Sequence, residues 1–179
     1  MHKPFPHRHV WLMAGLLALT GCYYDYTDDR LSAKTGYRPV YASYEEVRQI
    51  QTLTPQPLKA PGKIYIKDKF LFINEIDKGI HVVDNSDPAK PVRISFIAIR
   101  GNRDIAVKDS ILYADNAVDL VALNIANPRN VRVVKRVENS FPYPAYPPQT
   151  NVTFECADPA KGVVIGWEQA ELVNPKCFR

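Results

Sequence analysis

The sequence predicts an all-β protein. We expect two four-stranded antiparallel meanders, a C-terminal β-hairpin after them, and a flexible tether with a short helix before them. Three observations lead to this prediction: an internal repeat, short runs of β-branched and aromatic residues, and turn residues between the runs. The repeat has a period of about 40 residues, which is typical of four-stranded propeller blades.

The internal repeat has two blocks. Residues 66–73 align with residues 107–114 at an offset of 41, and residues 80–84 align with residues 120–124 at an offset of 40. One residue is therefore lost between the two blocks of the second copy. Since each copy is one structural unit, the repeat predicts two units of the same topology.

Each copy contains four apolar runs, and each run is short enough to be a strand. The runs are residues 63–67, 69–74, 79–84 and 92–99 in the first copy, and 103–108, 110–115, 118–124 and 130–137 in the second. Tight turns separate the first two runs of each copy, because a polar, aspartate-centred tripeptide lies between them. Four such runs in series predict an antiparallel meander.

The turn after the third run has the same composition in both copies. Its turn-forming residues are Asp84, Asp87 and Pro88 in the first copy, and Asn124, Asn127 and Pro128 in the second. Proline fixes φ and an Asx side chain bonds to the local backbone, so this spacing predicts structural turns. The same oxygen atoms are ligands that calcium accepts, and a calcium site is the alternative interpretation.

Residues 62–138 resemble two copies of the LVIVD repeat, a propeller-type repeat of bacterial surface and secreted proteins. The signature strand corresponds to Gly79–Asp84 and, less closely, to Asp119–Asn124. The resemblance implies blade-like sheets that are apolar on both faces. Closed propellers have at least four blades, and this sequence has two repeats. The outer face of each repeat sheet must therefore be covered by other parts of the chain, by self-association or by a protein partner.

The N-terminus has the features of a secretory signal peptide over residues 1–21. The basic residues Lys3 and Arg8 precede an apolar run over residues 10–19, which is too short to span a bilayer. Residues 19–22, Leu-Thr-Gly-Cys, resemble the lipobox of bacterial lipoproteins. The resemblance implies cleavage before Cys22 and lipidation of its thiol; an ordinary signal peptide followed by a chance cysteine is the alternative.

Residues 22–61 are predicted to be a tether with a short helix. The acidic, tyrosine-rich segment 23–29 resembles the surface-export signals of Bacteroidota lipoproteins, which implies a lipid-anchored protein of the outer membrane, exposed at the cell surface or facing the periplasm. Ser43 and Glu46 fit a capping box, and the pattern behind them predicts a helix over residues 44–51.

Residues 139–179 are predicted to form a proline-aromatic connector and a hairpin. The connector, residues 139–150, carries Phe141, Tyr143 and Tyr146 among its prolines. These rings either pack over the sheets or stack on a glycan or peptide. The hairpin is expected between residues 151–155 and 162–168, around the turn 158–161.

Cysteine use fits an oxidising envelope compartment. With Cys22 assigned to lipid, Cys156 and Cys177 form an even pair, for which a disulfide is the expected state and two buried thiols the alternative. Closing a loop of this length stabilises a fold by about 3 kcal/mol in the chain-entropy model.

Composition excludes several functions. The formal net charge is +4, and it becomes smaller when Lys3 and Arg8 are removed with the signal peptide. A charge so close to zero gives no indication of a nucleic-acid partner. His81 is the one histidine outside residues 1–21, which excludes a multi-histidine metal site. It lies inside an apolar strand, and we interpret it as structural, with a general base as the alternative.

The sequence therefore favours a protein that is not an enzyme and needs no cofactor. Two functional classes remain. One is a non-catalytic envelope lipoprotein whose β-repeats bind a partner or serve as a scaffold. The other is an accessory, substrate-binding subunit of a surface glycan or protein degradation system; a hydrolase is the least favoured reading.

Overall fold

The computed structural model describes residues 33–179, so the expected signal peptide, Cys22 and the acidic segment behind it lie outside the described residues. The described chain is all-β apart from two short helical segments, as the sequence predicts. Its elements are, in order, β1 (Ala33–Ala42), α1 (Tyr44–Arg48), β2 (Gln51–Leu53), β3 (Pro61–Lys67), β4 (Phe70–Glu75), β5 (Gly79–Asp84), β6 (Val92–Ala98), β7 (Ile105–Lys108), β8 (Ile111–Asn116), β9 (Asp119–Asn124), β10 (Arg132–Val137), β11 (Thr153–Phe154), a 3-10 helix (Pro159–Lys161), β12 (Val163–Val173) and β13 (Cys177–Phe178).

The two repeats form the two predicted antiparallel meanders. Repeat sheet 1 has the strand order β2-β6-β5-β4-β3, and repeat sheet 2 has the order β10-β9-β8-β7. The residue lost from the second repeat is in the turn between its middle strands. Glu75 pairs with Gly79 across a three-residue loop in sheet 1, whereas Asn116 pairs with Asp119 across a two-residue loop in sheet 2.

The main hydrophobic core lies between the two repeat sheets. It contains Phe72 and Ile97 from sheet 1 and Leu112, Val121 and Leu123 from sheet 2, all at most 1% exposed. Polar contacts hold the same two sheets together at their edges. The Tyr65 hydroxyl donates to the Val107 carbonyl at 2.7 Å, and the Ser95 hydroxyl donates to the Pro128 carbonyl at 2.5 Å.

The expectation that both faces of each repeat sheet are apolar is wrong for sheet 2. Strand β8 alternates strictly, with Leu112, Ala114 and Asn116 buried and the intervening side chains at least partly exposed. Strand β9 alternates in the same way. A strand that alternates in this manner has one face in the core and one face toward solvent, so the outer face of sheet 2 is adapted to water.

A third sheet, which we call the terminal sheet, contains β1 and corrects the predicted tether. Residues 33–42 belong to a strand, because β1 pairs antiparallel with β12 from Ala33↔Val173 to Ala42↔Val163. The polar residues of β1 gave no local strand signal, and its partner lies near the other end of the sequence. The tether prediction was therefore wrong for this segment.

The predicted C-terminal hairpin was also wrong in its pairing. Strands β11 and β12 occupy the expected regions, but β1 lies between them in the order β12-β1-β11-β13. Strand β11 pairs parallel with β1 through Tyr37↔Phe154, and antiparallel with β13. The turn chemistry of residues 158–161 is present as the 3-10 helix, with the Asp158 carboxylate accepting from the Ala160 N–H at 2.9 Å.

Helix α1 begins with the predicted capping box. The Ser43 hydroxyl accepts from the Glu46 N–H at 3.1 Å, and the Glu46 carboxylate accepts from the Ser43 N–H at 3.2 Å. The helix ends earlier than predicted, because residues 51–53 pair with β6 as strand β2. No helix of residues 33–179 is long and apolar enough to cross a membrane.

The predicted disulfide is confirmed. Cys156 and Cys177 are bonded, with their Cα atoms 5.3 Å apart. The bond fixes β13 beside β11 at the edge of the terminal sheet. Phe178, the second residue of β13, is 66% exposed, so the bridge does not bury its ring.

Candidate functional site

A groove lies where the repeat sheets, the proline-aromatic connector and the terminal sheet meet. Its volume is about 530 Å³, which is within the usual range for ligand sites of roughly 300–1,000 Å³. We call it the aromatic groove. Its lining comprises Asp77, Gly101, Arg103, Asp115 and Ala117 from the repeat sheets, Pro142, Tyr143, Pro144, Tyr146 and Pro148 from the connector, Val164, Ile165, Gly166 and Trp167 from β12, and Arg179.

The connector supplies the aromatic wall of the groove. Tyr143 packs against the small core formed by Ala42, Val47, Val118 and Val163, and its hydroxyl donates to the Gly162 carbonyl at 2.8 Å. Burial, with smaller contributions from nearby tyrosines, raises the pKa of Tyr143 to about 12. Tyr143 therefore stays neutral and anchors the wall.

Tyr146 is the most exposed aromatic ring of the groove lining, and Trp167 is partly exposed. Tyr146 is 56% exposed, and the Arg179 guanidinium lies over its ring at 4.5 Å from the centroid. Arg179 also donates to the Pro147 carbonyl, so two contacts hold its guanidinium against the connector. Trp167 packs edge-on against Phe154, with the ring centroids 5.5 Å apart. Both rings are thus held by neighbours.

The opposite wall carries paired charges. The Arg103 guanidinium donates to the Asp77 carboxylate at 2.8 Å, and this hydrogen bond is the largest cause of the raised pKa of Arg103. Nearby, one carboxylate oxygen of Asp115 accepts from the N–H groups of Arg103 and Asp104, at 2.8 and 2.9 Å. The lining has as many aspartates as arginines, so it carries no excess charge.

A buried amide chain holds this wall in place. The Asn74 side chain donates to the Asn102 side-chain oxygen at 2.6 Å, and the Asn102 amide donates to the Asp115 carboxylate at 2.8 Å. Asn74 and Asn102 are fully buried. The Asn74 side-chain oxygen has no hydrogen-bond partner, so the network is only partly satisfied. Its hydrogen bonds still connect the groove wall to both repeat sheets.

His81 is outside the groove lining. It lies on the face of sheet 1 that points away from the main core, because its register partner is Ile73 and not Phe72. Its ring is 1% exposed, and its Nε2 is 3.1 Å from the Glu75 carboxylate. Glu75 also accepts from the N–H groups of Lys59 and Ala60, at 3.0 and 2.8 Å. Burial opposes ionisation of Glu75, but these donors and His81 together hold its pKa below the ordinary value. The pair therefore fixes the β2–β3 loop.

The four Asx side chains of the repeat turns bond to their local backbone. Asp84 accepts from the Ser86 N–H at 3.0 Å, and Asn124 accepts from the Ala126 N–H at 2.9 Å. In the same way, Asp87 accepts from the N–H of residue 89 at 3.0 Å, and Asn127 accepts from the N–H of residue 129 at 3.1 Å. Within residues 33–179, no group of three or more histidine, cysteine, aspartate or glutamate side chains is placed to hold a metal ion.

A second charged cluster joins helix α1 to sheet 2. The Asp119 carboxylate, 1% exposed, contacts the Arg48 guanidinium at 2.8 Å and the Arg136 guanidinium at 2.9 Å. Burial opposes ionisation of Asp119, but the hydrogen bonds from Arg48, the Asn139 N–H and Arg136 lower its pKa. Asn116 accepts from Arg136 at 2.8 Å in the same cluster. This cluster is structural and lies outside the groove lining.

Sequence reasoning identified one wall of the groove and missed the other. Tyr143 and Tyr146 could be predicted as a candidate binding surface, because they are aromatic residues spaced among prolines. Arg103, Asp77 and Trp167 could not be predicted, because their proximity depends on packing between elements that are far apart in the sequence.

Comparison with known proteins gives no match: no protein-family model, curated protein or solved structure is similar to this chain.

Proposed function

We propose that this protein is a non-catalytic cell-envelope lipoprotein that acts as a β-repeat binding module, with the aromatic groove as its binding site. In this proposal the lipid on Cys22 holds the protein at the bacterial outer membrane. The lipobox-like residues 19–22 support the anchor, and Ala33, where β1 begins, follows Cys22 closely in the sequence.

The single observation that carries the binding role is the aromatic groove itself. It presents exposed ring surface from Tyr146 beside Trp167, within a volume suited to a ligand. Aromatic rings provide large contact areas at low entropic cost, and rings with a polar edge are favoured at binding surfaces. The rigid wall of Asn102 and Asp115 means that little of the groove has to be ordered when a ligand binds.

An accessory, substrate-binding role in a surface glycan or protein degradation system is the second candidate. The balanced charge of the groove favours it, because a site of this kind suits a long neutral polymer better than a free anion or cation. The Arg103–Asp77 pair still offers hydrogen bonds at its edges, and sugar hydroxyls or peptide groups can use them.

Photo-crosslinking in cells tests the binding role without knowledge of the ligand. A photoreactive phenylalanine analogue replaces Tyr146 in the full chain, and the matched control carries it at Tyr113, a 39% exposed tyrosine on the outer face of sheet 2. We expect adducts from position 146 and not from position 113.

The identity of the adduct separates the two candidates. A co-purifying transporter or enzyme supports the accessory role, whereas self-crosslinks alone support a scaffold. Equal labelling from both positions, or no adduct at position 146, would remove the groove from the proposal.

A further inference from the structure

An edge strand of the terminal sheet lies at the aromatic groove. Strand β12 is at the end of the order β12-β1-β11-β13, and among residues 33–179 its strand partner is β1 alone. Four consecutive residues of β12, 164–167, line the groove. Successive side chains of a strand point to opposite faces. A groove that meets four in a row therefore extends past the edge of the strand and is not confined to one face.

The register shows which backbone groups of β12 point to its open edge. The Glu155 N–H donates to the Tyr37 carbonyl at 2.9 Å, so Tyr37 directs its backbone groups toward β11. Its neighbour Arg38 therefore directs them toward β12, where it pairs with Glu168. Every second residue of β12, counted from the neighbours of Glu168, has its N–H and C=O groups turned away from β1. These residues are Trp167, Gln169 and Glu171.

The edge is accessible where it meets the groove. A Cβ atom added to Gly166 would have no described atom within 4 Å, and a glycine in a strand often lies where another backbone approaches closely. Ile165 has no register partner in β1, so the strand bulges at this point. The Tyr143 hydroxyl donates to the Gly162 carbonyl at 2.8 Å, directly before β12. The connector thus contacts the start of this edge and leaves the residues after 164 open.

The other edge strands of the described chain are protected against a further strand. Proteins protect sheet edges with short strands, with lysine and with proline. Strands β2 and β13 have only three and two residues. Strands β3, β7 and β10 each carry lysine, and β3 begins with proline. Strand β12 has 11 residues without lysine, arginine or proline, so it is the edge best suited to accept another strand.

We propose that the ligand of the aromatic groove is an extended polypeptide segment, which binds by adding a strand to β12. This inference rests on the proposed binding function and names the class of ligand. An extended peptide carries the alternating N–H and C=O groups that pair with an open edge, and strand addition is a recurring mode of peptide recognition. A glycan has no such series of groups, so the edge favours a peptide over a sugar chain.

The side chains of β12 indicate which peptides fit. Trp167 lines the groove, is partly exposed and packs against Phe154. Aromatic and β-branched side chains gain most from a cross-strand contact with such a ring. Beyond the groove lining, Glu168 and Glu171 are exposed, and opposite charges pair favourably across strands. The peptide is therefore apolar opposite Trp167 and carries lysine or arginine further along.

An N-methyl scan of a bound peptide tests the proposal without any change to the protein. The probe is selected on the detergent-solubilised full chain from a phage-displayed library of random peptides of about ten residues, the upper length of a common strand. Methylation of a backbone nitrogen removes one N–H group. We expect binding to weaken about tenfold or more at every second residue and to change little at the residues between them. A loss that does not alternate would overturn strand addition.

Proline substitution gives the readout on the protein side. Gln169→Pro removes an N–H that points to the open edge and should weaken the selected peptide by about tenfold or more. Ile66→Pro, at a 67% exposed residue of edge strand β3, is the matched control and should bind as the wild type does. Its N–H points away from β4, because Lys67 and Phe70 close a two-residue hairpin. Equal binding by the two variants, or a library without a binder sensitive to Gln169→Pro, would overturn the proposal.

Residue-resolved hydrogen exchange covers the case in which Gln169→Pro does not fold. Proline is tolerated on edge strands, and thermal unfolding shows whether both variants are native. In the wild-type chain the selected peptide should slow exchange of the amides of Trp167, Gln169 and Glu171. Unchanged exchange of these three amides would overturn the proposal.

The peptide class and the binding role fail in different experiments. Adducts at position 146 in cells that contain only glycan would overturn the peptide class and keep the groove as a binding site. No adduct at position 146, together with no slowed exchange on β12, would overturn both.

Discussion

Individual buried carboxylates fix the positions of whole segments in this fold. Asp119 joins α1, β9 and β10 through two arginines, and Glu75 joins the β2–β3 loop to sheet 1. Each carboxylate accepts from charged or backbone donors on several sides, so its loss removes a contact from more than one group. This makes the two residues direct tests of the structure.

Replacement of Asp119 should be strongly destabilising. Asp119→Ala leaves Arg48 and Arg136 without their buried partner, and breaking such a pair costs about 3–5 kcal/mol. Glu168→Ala, at an exposed position of β12, is the control and should stay within about 0.5 kcal/mol of the wild type. Urea unfolding measures both, and equal stability of the two variants would contradict the assigned role of Asp119.

Glu75 should make stability depend on acid pH. Its pKa is lowered in the folded chain, so its stabilisation is complete above the ordinary glutamate pKa and is lost as pH falls through the lowered value. Glu75→Gln should therefore show a smaller loss of stability between neutral pH and about pH 3 than the wild type. Denaturant unfolding at several pH values measures this, and parallel curves for the two proteins would argue against it.

Cys22 is the residue on which the proposed location depends. Cys22→Ser should abolish membrane association, because the variant cannot be lipidated. Inhibition of the lipoprotein signal peptidase should likewise accumulate uncut precursor. Detergent partitioning and intact mass measure both effects, and a mature chain without acyl mass would refute the lipoprotein assignment.

At the scale of elements, the disulfide holds the edge of the terminal sheet. Strand β13 has two residues and pairs with β11, which also has two. Cys177→Ser should therefore lower the free energy of unfolding by about 2–5 kcal/mol, the usual cost of removing a native disulfide from a small domain. The double variant with Cys156→Ser should lose no more than the single variant. Additive losses would show that the two sulfurs stabilise the fold separately.

Local signals predicted the strands of the repeats, and distant pairing explains what was missed. Every repeat strand lies within two residues of its predicted bounds, since each forms hairpins with its sequence neighbours. Strand β1 was assigned to a tether because its partner β12 is far away in the sequence. Its insertion beside β11 also removed the predicted hairpin. Arg103 and Trp167 could not be predicted as groove residues for the same reason, whereas Tyr143 and Tyr146 belong to a connector that the sequence pattern identified.

In the whole molecule, the terminal sheet and the connector form the aromatic groove beside the two repeats. The two repeat sheets share one hydrophobic core. The connector crosses between them and β12, where it forms the aromatic groove. Ligand binding in this groove remains our proposal.

Hydrogen exchange tests the proposed binding role most directly, because that role requires a ligand in the groove in the cell envelope. The same protein is compared in native membranes and after purification in detergent. We expect residues 141–148 and 164–167 to exchange more slowly in membranes, with no such change at the outer face of sheet 2. Identical exchange of the groove segments in both states, or protection confined to other surfaces, would contradict the account.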